Sequence, residues 1–172
     1  KIKHISCSAS AVLYPESHFD AIRLGLTLYG LHPSDKSHQK IHLQPALTWK
    51  TKIIQVKTLP KGSKVSYGGS FTTKRKTKLA ILPVGYYDGL PRLLSNKGKV
   101  LIKGEKCPIL GRVCMNLTMV DVTDVNDNIE ENDEVVLLGK QNSNEISAEE
   151  LAKLSSTINY EAIDRINPLL PR

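Results

Sequence analysis

Three observations make this a mainly β protein in two unequal parts. From Ala46 onward, short alternating runs of apolar and polar residues recur between Gly-, Asn- and Lys-rich turn signals. That is the pattern of a closed or sandwiched all-β domain, barrel-like or Greek-key. The residues ahead of it read as strand, short helix, strand, the arrangement at the closing end of a β/α barrel. A single helix start, Ser147-Ala148-Glu149-Glu150, lies near the other end. The division is expected between residues 38 and 39, giving parts 1–38 and 39–172.

Taken in order, Lys1 to Ser6 is expected as a strand and Ser8 to Leu13 as a helical turn stopped before Pro15. Ala21 to Tyr29 follows as a buried strand with apolar residues around Arg23 and Gly25. Such a piece cannot bury itself alone. Residues 35 to 44 are polar, and His32, His38 and His42 show no fixed ligand spacing, so a solvated linker is expected and no metal site. Ala46 to Leu59 alternates around Trp49, Ile53 and Val56 and is turned by Pro60-Lys61-Gly62. Further strands are expected at Lys64 to Tyr67, Lys78 to Val84, Lys99 to Ile102, Cys107 to Val113, Leu117 to Val122 and Glu134 to Leu138. Asn96-Lys97-Gly98 and Lys103-Gly104-Glu105 are turns between them. In the late helix Ser147 caps, Glu150 reaches back to complete a capping box, and Leu151 and Leu154 face the core.

Composition narrows the function classes. Apolar residues at 40% and charged residues at 24% of 172 match an ordinary globular chain and argue against disorder. The net charge of +7 gathers at Lys74-Arg75-Lys76-Thr77-Lys78 and between Lys97 and Lys106. These runs fall in expected turns, where lysines face water and protect sheet edges, so no nucleic-acid partner is expected. Three cysteines without CxxC spacing, Cys7, Cys107 and Cys114, support neither a disulfide framework nor a zinc site and fit a reducing cytoplasm. No apolar run reaches the ~20 residues that span a bilayer, so no membrane partner is expected. The chain begins at Lys1 without Met and reads as an excised or truncated segment.

Three blocks hold the residues that can carry chemistry. Val65-Ser66-Tyr67-Gly68-Gly69-Ser70-Phe71 sets a tyrosine before two glycines that can turn the backbone sharply. By itself it reads first as a hairpin with a surface aromatic. Leu82-Pro83-Val84-Gly85-Tyr86-Tyr87-Asp88-Gly89 and Gly111-Arg112-Val113-Cys114-Met115-Asn116 follow. In this order the three blocks resemble the C-terminal domain of a pyridoxal-phosphate-dependent alanine racemase. His4 to Ser8 and Phe19 to Leu31 resemble the last strands of that family's N-terminal TIM (β/α)8 barrel, and Ile158-Asn159-Tyr160-Glu161 with Pro171-Arg172 resembles its C-terminus.

The resemblance implies an isomerase that interconverts L- and D-alanine, supplying D-alanine for peptidoglycan. It also implies a cytoplasmic homodimer with sites shared between subunits. Removing an α-hydrogen needs an electron sink, which pyridoxal phosphate provides, and racemisation needs a base on each face of the α-carbon. In the family these are a lysine that also holds the cofactor and a tyrosine from the other subunit, here matched by Tyr67. An ordinary phenol is a poor base at neutral pH, so its neighbours must favour the phenolate, with His4 and Arg23 as candidate members of that network. Arg23 matches the arginine that hydrogen-bonds the pyridine nitrogen. Since arginine only donates, that nitrogen stays unprotonated and the sink is weaker, which favours racemisation over transamination. An ion pair with Asp20 is the structural alternative.

Ser8, the backbone of Gly25 and Leu26, and the Tyr160 hydroxyl match the family's phosphate-binding positions. Met115 matches the residue whose N–H meets the substrate carboxylate. Tyr86, with Asp88 and Arg92 nearby, matches the narrow mouth of the site. Two positions depart from the family, Asn116 where aspartate is usual and Cys7 where asparagine is common. No lysine in an Ala-Tyr-Gly-type context is present. The chain is therefore expected to match less than half of a family member, and alone neither to hold the cofactor covalently nor to racemise. Two other readings stay open: a different fold-type III racemase or basic amino-acid decarboxylase, and a basic β-barrel module for nucleic acid. The decarboxylases carry Cys-Asp where this chain has Cys114-Met115.

Overall fold

In the computed structural model, residues 1–171 are described and divide into two compact units between Leu47 and Thr48. Arg172, read above as part of the family-like terminus, lies outside the described residues. The first unit runs past residue 38 because the supposed linker is folded. Asp35–Gln39 is a 3-10 turn with Ser37 buried, and Ala46 N–H donates to the Tyr29 carbonyl at 3.0 Å.

The first unit is a parallel strand–helix–strand piece. Strand β1 (His4–Cys7) pairs in parallel with β2 (Ala21–Arg23), and α1 (Ser8–Leu13) connects them. Helix α1 ends before Pro15 as the sequence dictates, since proline disfavours helix at the preceding residue. The expected strand Ala21 to Tyr29 is shorter than its apolar pattern, and neither Ile22 nor Arg23 on it is buried. It ends at Arg23, and Leu26–Tyr29 forms a 3-10 turn closed by Gly30 at φ 74°. Gly30 is required there, because a Cβ would lie 1.7 Å from the Gln44 carbonyl oxygen.

The second unit, from Thr48 on, is a ring of antiparallel strands. The stretch expected as one strand is two, β3 (Trp49–Lys52) and β4 (Gln55–Leu59), bent at Ile53 and Ile54. Two hydrogen bonds make the corner, Ile53 N–H to the Asp133 carbonyl and Ile54 N–H to the Ile81 carbonyl. One chain segment thus serves two sheets, as strands at barrel corners do. Strand β5 (Lys64–Val65) pairs with β6 (Phe71–Thr72). Strand β7 (Thr77–Leu82) lies between β4 and β10 (Thr118–Asp121). The hairpin β8 (Lys99–Ile102) and β9 (Glu105–Pro108) joins β11 (Glu134–Gln141), which pairs in turn with β3 and with β12 (Asn144–Ile146). The ring closes where Ile109 bridges Val120 and Leu110 N–H donates to the Met119 carbonyl. The expected strand Cys107 to Val113 therefore ends at Pro108, with 109 and 110 as the closing contact.

The core follows from this closure. Val135 through Leu138 of β11 are all buried, which marks a strand covered on both faces. Val100, Leu101, Ile102, Ile109, Val120 and Ile146 are at most 1 % exposed. The late helix forms as α2 (Ala148–Leu154), with Ser147 Oγ accepting the Glu150 N–H at 3.0 Å. The capping box is half made, because the Glu150 carboxylate turns to Lys106 at 3.2 Å. Leu151 is buried while Leu154 is half-buried. The chain also forms α3 (Asn159–Asp164), where no helix is expected from the sequence, and it packs on α2.

Candidate active site

The three singled-out blocks converge within the second unit, joined largely through backbone. Tyr67 follows β5 rather than ending it. Ser66 at φ 64° turns the chain out of the strand, and Tyr67–Gly69 forms a 3-10 turn. Beneath this turn Val65 is buried with Leu79 and Leu110, and Phe71, Leu59 and Met119 pack against that cluster. The apolar ends of the hairpin are thus held in the core while Tyr67 stays 72 % exposed.

The third block lies directly against this turn. Ser66 Oγ donates to the Arg112 carbonyl at 2.7 Å and sits 3.5 Å from Cys114 Sγ. Gly111, at φ 78°, has no room for a side chain, since a Cβ would lie 2.5 Å from Ser66 Cβ. The same segment then carries the second block. Tyr86 and Tyr87 N–H donate to the Cys114 and Met115 carbonyls at 3.0 and 2.9 Å. A Cβ on Gly85 would lie 2.2 Å from the Cys114 carbonyl oxygen, so glycine is what permits this approach. Asp88 is used locally, its carboxylate accepting the Gly85 N–H at 2.8 Å to close the Tyr86–Asp88 turn. Tyr86 and Met115 are about half exposed, and Arg92 is exposed on its own turn. One surface therefore presents a phenol, a second tyrosine and a methionine on interlocked loops.

The first unit holds the other group. Ser8 is 3 % exposed, and its Oγ accepts the Gly25 N–H at 2.8 Å and lies 3.1 Å from Thr27 Oγ1. The Leu26–Tyr29 turn begins there, and the first N–H groups of such a turn have no carbonyl of the turn to bond. A Cβ at Gly25 would meet only Ser8 Oγ, at 3.9 Å, so the space before these donors is open. With the Gly25 N–H already given to Ser8, the Ser8 hydroxyl proton and the Leu26 N–H beside an open glycine are the donors that an anion's oxygens can take. These residues fit a phosphate. Arg23 is exposed rather than buried, and its guanidinium donates to the Ile5 carbonyl at 3.1 Å. The Asp20 carboxylate accepts the Lys3 N–H instead. His4 opens β1 opposite Ala21. Tyr160 lies in the first turn of α3, in the second unit.

Cys7 precedes α1, and the Ser10 N–H and hydroxyl with the Ala9 N–H lower its thiol to about 7. Cys107 is the opposite case, pushed up to about 12 by burial beside Glu105 and Asp121. In the basic run Arg75 pairs with Asp124 and Lys78 donates to the Ile129 carbonyl, while Lys74 and Lys76 face solvent. Among the described residues no group of three His, Cys, Asp or Glu could hold a metal, and no helix is long and apolar enough to cross a membrane. Two further residues on these loops carry no signal in the sequence: Ser66, bonded to the Arg112 carbonyl, and Asn96, whose Oδ1 accepts the Gly111 N–H. Asn-Lys-Gly is visible as a turn, but nothing in it says which distant backbone the asparagine meets.

Residues 46–172 match the family described as "Alanine racemase, C-terminal domain". The chain is 48% identical over 171 residues to an alanine racemase of Halothermothrix orenii, covering 99% of this chain and 45% of that protein. It is similar in structure to an alanine racemase of Bacillus anthracis with bound L-Ala-P, with a TM-score of 0.91, 36% identity, and 97% and 43% of the two chains covered. An alanine racemase of Bartonella henselae with covalently bound pyridoxal phosphate gives a TM-score of 0.81 at 30% identity, covering 94% and 44%. The chain thus spans less than half the length of the relatives it matches.

Proposed function

This chain belongs to the alanine racemase family, and from that premise we propose that it supplies one acid–base group, part of the cofactor cradle and part of the substrate seat of an L-/D-alanine-interconverting enzyme. The same proposal includes a cytoplasmic homodimer with shared sites, providing D-alanine for peptidoglycan, and treats residues 1–38 as the end of a TIM barrel. A lysine outside these 172 residues serves as the second base and holds the cofactor, so the chain alone neither binds it covalently nor racemises.

Pyridoxal phosphate, when bound, supplies the electron sink that makes the α-proton of alanine removable. The Ser8 hydroxyl and the backbone of Gly25 and Leu26 would hold its phosphate, the Leu26 N–H donating while the Gly25 N–H stays on Ser8 Oγ; the Tyr160 hydroxyl would hold it as well. Arg23, whose guanidinium donates to the Ile5 carbonyl at its strand end, would also donate to its ring nitrogen. His4 has a supporting role. The Met115 N–H holds the substrate carboxylate, and Tyr86 narrows the mouth against larger side chains. Tyr67 takes or returns a proton at its phenolic oxygen on one face of the α-carbon.

The observation that carries this reading is the placement of Tyr67. The residue is 72 % exposed although its turn is anchored in the core and locked to the loops of Tyr86 and Met115. A tyrosine with a packing role buries its ring. In the full-length enzyme, Tyr67→Phe is expected to lower racemisation by about 10²–10⁴-fold while cofactor absorbance and melting temperature hold. Wild-type turnover in that variant overturns the reading.

A further inference from the structure

The turn that carries Tyr67 is pinned at both ends, and one side chain outside the three blocks makes the second pin. At its start, Ser66 Oγ donates to the Arg112 carbonyl at 2.7 Å. At its end, Asn96 Nδ2 donates to the Ser70 carbonyl at 3.2 Å, and Asn96 Oδ1 accepts the Gly111 N–H at 2.6 Å. One amide group therefore bridges the turn bearing Tyr67 to the segment bearing Met115. Its neighbour repeats the attachment, Ser95 Oγ accepting the Val113 N–H at 3.0 Å.

Three features say that this bridge is built rather than incidental. Asn96 sits at φ 59°, a left-handed conformation that asparagine tolerates better than most residues. That backbone aims the amide back over the chain, with its oxygen on a donor and its nitrogen on an acceptor, so both halves of the group are used. The joined segments also approach each other closely. Gly111 is at φ 78° with Ser66 against it, and the Arg112 guanidinium lies where it would be 3.6 Å from a Cβ on Gly68.

We propose that Asn96 is a positioning residue for the racemisation step, setting the Tyr67 phenol relative to the Met115 backbone through its paired bonds to Ser70 and Gly111. This rests on the reading of Tyr67 as a base. Asn96 touches no reacting atom. Its effect is to keep the base at one distance from a substrate seated on the neighbouring segment, and ångström-scale misplacement of such groups costs up to about 10²-fold in rate.

The test uses the full-length, cofactor-loaded enzyme. Asn96→Gly keeps the left-handed backbone and removes both bonds; Asn96→Asp keeps an acceptor for Gly111 but cannot donate to Ser70. Both are expected to lower kcat by about 10- to 10²-fold with KM changed less. The decisive readout is the primary isotope effect with α-deuterated L- and D-alanine, expected to rise for the enantiomer whose proton Tyr67 takes and to stay unchanged for the other. A merely structural role would lower the active fraction and leave both isotope effects alone. Unchanged isotope effects with losses that track the melting temperature, or an Asn96→Asp enzyme like wild type, overturn the proposal. Tyr67→Phe run beside them separates the two readings. If it retains turnover, the base assignment falls and this proposal with it; if it is inactive while Asn96 variants show symmetric effects, the Asn96 proposal falls alone.

Discussion

The two units hold themselves together by different means. In the ring of strands from Thr48 on, apolar side chains fill the interior, and β11 buries four in succession. In the first unit Ile5 on β1, Ile22 on β2 and Leu24 just after it remain exposed, at 62, 39 and 38 %. Its buried positions are instead the hydroxyls Ser6, Ser8 and Ser37 with a few aliphatics, and Ser6 Oγ bonds the Ser17 carbonyl at 2.7 Å. A closed sheet saturates its own backbone and its own apolar faces. A two-stranded parallel piece can do neither, so hydroxyl-to-backbone bonds such as that of Ser8 with the Gly25 N–H organise it.

The largest test of this contrast removes apolar volume from each unit. Leu101→Ala, in a fully buried position of β8, is expected to cost about 2–5 kcal/mol in denaturant unfolding of this chain. Ile5→Ala is expected to stay within about 0.5 kcal/mol, since the side chain already faces solvent. Equal losses at the two positions would break the comparison.

A smaller effect appears in thiol reactivity. Cys7, lowered to about 7, should alkylate with iodoacetamide half-maximally near that pH, because only the thiolate reacts. Cys107, pushed up to about 12 and buried, should stay unmodified until the second unit unfolds. Mass mapping of the alkylated sites against pH checks both, and modification of Cys107 in the folded chain would contradict the packing described for β9.

The smallest effect sharpens the account of the ring. Burial raises the Asp133 carboxyl, but the Lys103 ammonium and the Glu130 N–H outweigh it and hold the group below its usual range. A carboxyl depressed in the folded state contributes stability above its ordinary value of 3.8, lost as pH falls through the folded value. Asp133→Asn should therefore weaken the chain slightly near neutrality and flatten the acid side of its stability–pH curve. An unchanged acid limb would mean the pair is too well solvated to count.

Local signals were legible where the determinant is local. Helix α1 occupies the residues read for it because Pro15 stops it, and β8 lies where Lys99 to Ile102 alternates between two turns. The order of the three glycine-bearing blocks was enough to indicate the family. Position in space was not local. Ala46 to Leu59 has one uninterrupted alternation, yet Ile53 and Ile54 take partners in different sheets, Asp133 and Ile81, which only ring closure brings alongside. Ala21 to Tyr29 has the apolar content of a buried strand, but Gly25 and Gly30 let the backbone curl into a turn once Ser8 offers an acceptor. Glu150 completed a capping pattern on paper and went to Lys106, 44 residues away. By itself the sequence determined the locally bounded elements, such as α1 and β8, and the glycines that close contacts need. Tertiary structure alone decided which backbones meet. Hydrogen-bond partners such as Asn96 with Ser70 and Gly111 depend on loop closure over many residues, and no period or propensity encodes that.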